Sequence, residues 1–135
     1  MNYWLLKTEP SVYNWDDLIK DKKTIWDGVT SPAGLMFIRQ IKKGDKAIIY
    51  HTGDERQMVG IAEVTCDSYQ DPNSDNPKIV VFDIKPLKKF KKFITLGEIK
   101  NNPRYKDFRL VKEGRLSVVP VPVEFWNDFI KMSES

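Results

Sequence analysis

The sequence is poor in the residues that build disulfides, metal sites and membrane spans. Among its 135 residues it has one cysteine, Cys66, and one histidine, His51. A single cysteine cannot form an internal disulfide, and one cysteine with one histidine cannot complete a structural zinc site. No apolar run approaches the roughly 20 residues that span a bilayer, and the N-terminus does not have the pattern of a signal peptide. We therefore expect a cytoplasmic protein with no metal, no cofactor and no membrane partner.

Motifs of the common enzyme classes are also missing. The chain has no glycine-rich dinucleotide or phosphate loop, no hydrolase nucleophile elbow, no HExxH and no CxxC. One catalytic option remains, in which His51 acts as a general base beside Tyr50. A lone histidine at a strand end, however, more often orients a neighbour through a hydrogen bond. Because Cys66 continues the alternation of Ala62 and Val64, we expect a small buried side chain rather than a reactive thiol, and we predict no catalytic residue.

The remaining composition is that of one folded domain covering residues 1–135. Hydrophobic residues make up 41% and charged residues 30%, while 7 Gly and 8 Pro are too few for a low-complexity or collagen-like chain. Lys and Arg number 22 against 19 Asp and Glu, which leaves a net charge of +3. That excess is too small to indicate a nucleic-acid partner on its own.

Aromatic residues are concentrated near the N-terminus. The chain has 4 Trp and 5 Tyr, and five of these nine lie in the first 26 positions, namely Tyr3, Trp4, Tyr13, Trp15 and Trp26. Trp26 precedes Asp27-Gly28, a pair that favours a tight turn, so its ring can lie at the mouth of a sheet and stack on a flat heterocycle. The alternative is a core position, which is usual for tryptophan before a turn. We expect the other four to pack the core and Trp26 to face a ligand.

Periodicity and turn residues predict a mixed set of strands and short helices. Strands are expected at 3–8, 46–51, 58–66 and 79–84, with the second and third as an antiparallel pair across a polar loop. Helices are expected at 14–22, 31–44, 95–102 and around Trp126. The segment 116–121 is predicted to be extended at a sheet edge, because prolines flank it. These elements predict an α+β fold, a mixed β pseudobarrel of five to six strands with short peripheral helices.

The densest positive run lies in the second half of the chain. It comprises Lys85, Lys88, Lys89, Lys91 and Lys92, interleaved with Leu87, Phe90 and Phe93. Lysine ammonium groups contact phosphates well and gain affinity by releasing counterions. A solvated loop whose apolar residues turn inward explains the pattern equally well. We name Lys88, Lys89, Lys91 and Lys92 as candidate phosphate-binding residues and keep both interpretations.

Ordered sequence blocks along nearly the whole chain resemble the EVE-domain family. YWLLKTEP at 3–10 resembles the family opening YWLMKSEP, and WDDL at 15–18 and WDGV at 26–29 match the next two blocks. Further blocks follow in the family's order: GD at 44–45, YH at 50–51, VGIAEV at 59–64, YQDP at 69–72, RLSV at 115–118 and EFW at 124–126. Each block alone is weak, but the ordered set is specific. The resemblance implies a PUA-like pseudobarrel related to the YTH domains, which hold a methylated base in an aromatic cage.

The resemblance also implies a function and a set of site residues. EVE domains are regarded as readers of modified bases, particularly modified cytosines in DNA, and often lack catalytic activity. The implied partner is nucleic acid with a modified base, DNA more than RNA. Trp26 is implied as the wall of the aromatic cage. The other implied ligand-binding residues are Lys7, Thr8, Glu9, Asp27, Gly28, Val29, Tyr50, His51, Thr52, Leu116 and Ser117, among which Thr8, Asp27, His51 and Ser117 would hydrogen-bond the base edge.

The chain departs from the family pattern after WDGV. Many members continue RNYQARN, whereas this sequence has TSPAGLM at 30–36. Contacts made by the arginine and the amides of that segment are therefore not carried over. Two alternatives stay open. One is an ASCH-like RNA-binding protein, ribonuclease or nucleotide hydrolase on the same barrel, with Lys7, Glu9, Tyr50 and His51 as acid and base groups. The other is an interaction module with a vestigial pocket, in which both ring faces of Trp26 would be buried.

Overall fold

The framework of the protein is a curled, open sheet, and the computed structural model describes residues 1–134. Its strands are β1 (Tyr3–Thr8), β2 (Thr24–Trp26), β3 (Lys46–His51), β4 (Gln57–Val64), β5 (Tyr69–Gln70), β6 (Val80–Thr95) and β7 (Val118–Pro120). Six strands follow the order β2-β6-β4-β3-β1-β7, while β5 pairs only with β6. Within the described residues the two edge strands, β2 and β7, do not pair with each other. The sheet is therefore a half-barrel that stays open on one side.

Short helices surround this sheet. They are α1 (Trp15–Asp21), α2 (Pro32–Ile38), α3 (Leu96–Lys100), α4 (Arg109–Lys112) and α5 (Val123–Ser133), with a 3₁₀ turn at Pro103–Tyr105. Asn14 and Thr95 open α1 and α3 with capping boxes, as the sequence predicts. The predicted α+β fold, a mixed sheet of five to six strands with short peripheral helices, is confirmed, and the sheet is an open half-barrel of six strands. Across residues 1–134, none of these helices has the length and apolarity needed to cross a membrane.

A parallel strand pair forms the centre of the core. β1 and β3 run in the same direction, with Leu5 opposite Ile48 and Leu6 opposite Ile49, and all four side chains are buried. Parallel neighbours need a crossover, which the chain between them supplies with α1, β2 and α2. This crossover carries β2 to the far edge of the sheet. The ends of β1 and β2 therefore border the open side.

Helix α2 is shorter than predicted. It ends at Ile38 instead of continuing to Gly44, and tight three-residue hydrogen bonds follow, from Ile41 N to the carbonyl of Ile38 for example. The cause is Asp45, which is 3% exposed. Its carboxylate accepts hydrogen bonds from the backbone N–H of Lys42 and from the indole N–H of Trp4, both at 3.0 Å. A buried carboxylate needs such donors, so this segment turns towards Asp45 rather than extending the helix.

Strand β6 is much longer than predicted. It runs over 16 residues, so the lysine run is part of a strand and the loop interpretation is wrong. Pro86, which cannot donate a ladder hydrogen bond, pairs with Ala62 next to a shift in the β4–β6 register. In contrast, β4 ends at Val64 rather than at Cys66, which is half-buried in the bend that follows. The edge position of the segment 116–121 is confirmed, although only Val118–Pro120 form the strand.

Candidate functional site

A cavity of about 850 Å³ lies on the open side of the half-barrel. We call it the edge cavity. It is lined by Lys7, Thr8, Glu9, Val12, Tyr13, Lys23, Thr24, Ile25, Trp26, Asp27, Gly28, Val29, Asp83 and Ser117. Most of these residues come from the end of β1 and from β2 with its following turn. The volume is in the range of about 300–1,000 Å³ that is usual for small-ligand sites.

Trp26 and Tyr13 supply the aromatic surface of this cavity. Trp26 is the last residue of β2, where it pairs with Phe82 of β6, and it is 8% exposed. The Tyr13 ring meets it edge-on, with centroids 6.5 Å apart and an interplanar angle of 83°. Gly28 has a φ of +84°, a conformation that side chains rarely adopt, and this allows the chain to turn directly after Trp26. Tyr13 therefore lines the cavity in addition to packing against the core, as predicted.

Hydrogen bonds hold Tyr13 in this position. The Thr8 hydroxyl donates to the backbone carbonyl of Tyr13 at 2.7 Å, and the Tyr13 hydroxyl donates to Asp21 at 2.9 Å. Burial is the main reason that the pKa of Tyr13 is raised above its ordinary value. The phenol thus stays neutral at physiological pH, so this wall of the cavity carries no charge of its own.

The opposite wall depends on a glycine in α2. A Cβ on Gly34 would lie 2.6 Å from Cγ1 of Val29 and 2.9 Å from Oγ of Ser31, which is too close for either atom. Val29 is buried, and Ser31 is the cap of the helix. The absence of a side chain at position 34 thus lets the wall around Val29 and Ser117 close.

Polar groups at the rim are partly engaged. Asp83 accepts a hydrogen bond from Tyr69 at 2.6 Å and pairs with Lys23 at 3.5 Å. Burial, together with that hydrogen bond, raises the pKa of Tyr69. Glu9 accepts hydrogen bonds from the backbone and the hydroxyl of Ser11. Asp27, in contrast, is exposed and makes no hydrogen bond or ion pair within the described residues. Its carboxylate is free to accept from a ligand.

Comparison with known proteins identifies the family. The sequence profile of the EVE domain matches residues 2–132. The chain belongs to the EVE-domain family. Thymocyte nuclear protein 1 of Rattus norvegicus is 29% identical over 168 residues, which span 99% of this chain and 74% of the relative.

Solved structures agree with this assignment. Rpa0253 from Rhodopseudomonas palustris is 38% identical with a TM-score of 0.93, covering 98% of this chain and 93% of its own. The human THYN1 protein, solved in complex with DNA that contains 5-methylcytosine, is 26% identical with a TM-score of 0.90. The match covers 100% of this chain and 99% of the human chain. A more distant likeness concerns the fold alone. The YTH domain of Zygosaccharomyces rouxii MRB1 is 12% identical with a TM-score of 0.61, covering 99% of this chain and 87% of its own.

The EVE domain brings together eight of the twelve ligand-binding residues that the resemblance implies. They are Lys7, Thr8, Glu9, Trp26, Asp27, Gly28, Val29 and Ser117, and all line the edge cavity. Sequence reasoning missed Val12, Tyr13, Lys23, Thr24, Ile25 and Asp83. Asp83 could have been identified from the sequence, because it is the one polar residue in the otherwise apolar stretch IVVFDI. Thr24 and Ile25 directly precede Trp26 and form β2 with it.

His51 is not among the residues that line the edge cavity of this EVE domain, and its contact with a base stays a prediction. Its Nε2 accepts the backbone N–H of Trp15 at 3.1 Å, and its Nδ1 lies 2.9 Å from the Glu55 carboxylate. Because Nε2 is an acceptor, the proton is on Nδ1 and is donated to Glu55. This hydrogen bond lowers the pKa of Glu55. Nε2 of His51 therefore holds the start of α1, and Nδ1 binds the turn between β3 and β4.

Tyr50, Thr52 and Leu116 also lie outside the edge cavity. Tyr50 and Leu116 are buried, and burial raises the pKa of Tyr50. The Thr52 hydroxyl lies 3.3 Å from the backbone carbonyl of Thr8, to which it donates. These residues support the EVE domain around the cavity. Their direct contact with a base stays a prediction.

The lysine run of the EVE domain lies away from the cavity. Lys88 pairs with Glu134 at 3.4 Å, Lys92 pairs with Glu98 at 3.6 Å, and Lys89 lies over the ring of Phe93. Lys91 is exposed and has no ion pair within residues 1–134. β6 reaches the cavity at Asp83, and at about 3.3 Å per residue Lys88, the first of the four candidate phosphate-binding lysines, lies roughly 16 Å further along the strand. Phosphate binding by these lysines stays a prediction.

Among residues 1–134, no group of three or more His, Cys, Asp and Glu side chains could hold a metal ion.

Proposed function

We propose that this protein is a non-enzymatic module that binds nucleic acid and reads a modified base, a modified cytosine in DNA, in the edge cavity. The observation that carries this proposal is the ligand-sized cavity bordered by Trp26 and Tyr13 at the open side of an EVE domain. It is supported by the human relative, whose structure contains DNA with 5-methylcytosine. The base would leave the helix and enter the cavity beside Trp26.

The energies of this process are compatible with the cavity. Extruding a base from a duplex costs a few kcal/mol. Stacking on an aromatic ring contributes about 1–3 kcal/mol, and each net hydrogen bond contributes about 1 kcal/mol. One stack on Trp26 and two or three hydrogen bonds therefore offset the extrusion.

Cytosine suits the free groups of the cavity. Its amino group is a donor, and carboxylates are the usual acceptors for it. Asp27 is exposed and unpaired within the described chain, so it is our first choice for this contact, with Glu9 as a neighbour on the β1 side. Ser117 adds a hydroxyl on the opposite wall.

Apolar residues of the cavity explain a preference for a methyl group. Val12, Ile25 and Val29 are the aliphatic residues in the lining, and they would supply the contacts to a small hydrophobic substituent. Burying one methyl or methylene group contributes about 0.8 kcal/mol, which corresponds to about a 4-fold change in affinity. We expect a preference of this size for the methylated base.

The catalytic alternative has lost its main support. An acid-base role for His51 needs a free ring nitrogen facing the substrate, and both nitrogens are engaged with Trp15 and Glu55. We therefore carry only the binding function forward.

The test compares oligonucleotides that differ in a single methylated cytosine. Fluorescence anisotropy of labelled DNA gives the Kd for the parent protein, for Trp26→Phe and for Trp26→Ala. We expect the parent to prefer the methylated DNA about 4-fold. Trp26→Ala should weaken binding by about 5- to 150-fold, the equivalent of a lost stack, while Trp26→Phe should keep most of the affinity.

Phe93→Ala is the matched control, because it removes an aromatic ring from β6 outside the edge cavity. It should bind both oligonucleotides like the parent. Thermal unfolding shows whether each variant is folded. Equal affinity of the parent for both oligonucleotides, or parental binding by a folded Trp26→Ala protein, would overturn the proposal.

A further inference from the structure

A second, smaller cavity adjoins the edge cavity at Lys7. It measures about 190 Å³ and is lined by Lys7, Tyr50, Thr52, Gly53, Arg56, Leu96, Lys100, Leu110, Val111 and Gly114. Three of these residues are cations, Lys7, Arg56 and Lys100, and none is an acid. We call it the cationic pocket. Lys7 is the one residue that lines both cavities.

The fold collects these cations from three separate segments. Lys7 is in β1, next to Tyr50 of the parallel strand β3. Arg56 comes from the turn between β3 and β4, and Lys100 ends α3. The backbone N–H of Leu96 donates to the carbonyl of Arg56 at 2.8 Å and joins the start of α3 to this turn. The arrangement therefore depends on tertiary structure and is not visible as a run of charge in the sequence.

The charges of the pocket are not neutralised by the protein. Arg56 and Lys100 are exposed and form no ion pair with any residue from 1 to 134. Three glutamates of the neighbouring segments are engaged elsewhere. Glu55 is bonded to His51, Glu98 to Lys92 and the cap at Thr95, and Glu113 to Arg109. Glu9 approaches the pocket on the Gly53 side, where it is held by Ser11.

Lys7 is an unusual member of this group. Its Nζ donates to the carbonyl of Gly114 at 2.9 Å and lies 6.0 Å from the centre of the Tyr50 ring. An ammonium group has three donors, so two remain. Burial lowers the pKa of Lys7, and within the described residues it has no carboxylate partner. A partly buried ammonium of this kind gains most from an anion placed beside it.

The size of the pocket limits the anion to a small group. At 190 Å³ it is below the range of about 300–1,000 Å³ for drug-sized ligands. It equals about six water volumes of roughly 30 Å³. A phosphate group with a few waters fits this space, whereas a stacked base with its sugar needs the larger cavity.

We propose that Lys7, Arg56 and Lys100 bind a backbone phosphate of the nucleic acid next to the base held in the edge cavity. This inference rests on the proposed function. It assigns the backbone contact to the cationic pocket rather than to the lysine run of β6, where two of the four candidate lysines are already paired with glutamates.

The test measures how the affinity for DNA depends on salt. The double variant Arg56→Gln/Lys100→Gln removes two charges without changing residues of the edge cavity. Lys89→Gln/Lys91→Gln is the matched control, because it removes two charges from the lysine run that form no salt bridge within residues 1–134. Each protein is titrated with methylated and unmethylated oligonucleotides over a series of NaCl concentrations, and thermal unfolding confirms that the variants are folded.

We expect the magnitude of the slope of log affinity against log salt to fall by about 0.9 in the Arg56/Lys100 variant, since one phosphate contact in duplex DNA contributes about 0.9. Affinity should weaken by the same factor for both oligonucleotides, so the preference for the methylated base is kept. The charge-conserving variant Arg56→Lys/Lys100→Arg should keep the parental slope, and so should the Lys89/Lys91 control.

The outcomes separate this inference from the proposed function. A parental slope in the Arg56/Lys100 variant, or an equal loss in the control, would overturn the phosphate site while leaving base reading intact. A parent that binds both oligonucleotides equally, but whose slope falls only in the Arg56/Lys100 variant, would overturn base reading and keep the phosphate site. A parent that binds neither oligonucleotide would overturn both.

Discussion

At the scale of single residues, the shape of the edge cavity depends on two glycines as much as on the side chains that line it. Gly28 allows the turn after Trp26, and Gly34 leaves room for Val29 and Ser31. Val29 is β-branched and buried, so it has little freedom to move aside. Ser31 cannot move aside either, because its hydroxyl accepts a hydrogen bond from the Gly34 N–H at 3.1 Å and caps α2.

We predict that Gly34→Ala lowers the free energy of unfolding by about 1–3 kcal/mol, because the new methyl group overpacks the wall of the cavity. The preference for methylated DNA should fall as well, since Val29 is displaced. Gly97→Ala is the matched control in another short helix, where the nearest atom to the new Cβ is 3.9 Å away. It should raise stability by up to about 1 kcal/mol. Urea unfolding measures the free energy of unfolding of both variants. Equal changes in Gly34→Ala and Gly97→Ala would contradict this account of the wall.

Trp26 and His51 show how far single residues of the site could be predicted. The turn after Trp26 was readable from Asp27-Gly28, and it does bring the ring to the cavity. His51 stands in a recognised family block, but its role depends on Trp15, 36 residues away in the sequence. The same holds for Tyr13, whose contact with Trp26 requires the end of β1 and the end of β2 to meet. Such contacts between distant segments leave no local signal.

At the scale of elements, the boundaries set by capping residues were predictable. Asn14, Ser31 and Thr95 each mark a helix start that the structure contains. The end of α2 was not predictable, because it follows from the buried carboxylate of Asp45 rather than from Gly44. Strand β6 was underestimated because its second half alternates charged and apolar residues around a proline, a pattern that also fits a loop.

An ion pair ties the 3₁₀ turn at Pro103–Tyr105 to α5. Arg104 Nε and the Tyr105 hydroxyl donate to the same oxygen of Asp128, at 2.6 and 2.8 Å. Burial raises the pKa of the Asp128 carboxyl, but these hydrogen bonds and the Arg104 charge outweigh it and bring the pKa below its ordinary value. Burial and the hydrogen bond to Asp128 raise the pKa of Tyr105 to about 12.

We predict that Asp128→Asn lowers stability slightly at pH 7, since a largely solvated ion pair contributes little. A carboxyl with a depressed folded-state pKa stabilises the fold above its unfolded pKa, and this contribution is lost as the pH falls through the folded value. The difference between parent and variant should therefore be constant from pH 7 down to about pH 5. It should shrink below about pH 5 and vanish only below the folded-state pKa, which lies under the ordinary aspartate value of 3.8. Thermal unfolding of both proteins at each pH measures this difference in stability. A difference that grows on acidification would contradict the assignment.

At the scale of the whole molecule, one open side of the half-barrel holds both the edge cavity and the cationic pocket. The curled sheet carries β2 to one edge and β7 to the other, so the end of β1 faces the gap between them. Lys7, at that end, links the two cavities. The net charge of +3 gives no hint of this arrangement, because Lys7, Arg56 and Lys100 are far apart in the sequence and only the fold brings them together.

The chain contains its own reporters for the central claim, which is that the base enters beside Trp26. Its four tryptophans occupy different places. Trp4 is bonded to Asp45, Trp15 lies under Gly60, and Trp126 stacks on Tyr3. Trp4 and Tyr3 also line a separate surface groove of about 510 Å³, so a ligand bound there would be detected by other indoles.

The most direct measurement follows the four indole N–H resonances by NMR during titration with an oligonucleotide that contains one 5-methylcytosine, with Trp26→Phe to assign the Trp26 signal. Our account predicts that the Trp26 resonance shifts most, and that it shifts further with methylated than with unmethylated DNA at equal concentration. An unchanged Trp26 resonance under conditions where the DNA is bound, or a dominant shift of Trp4 or Trp126, would contradict it.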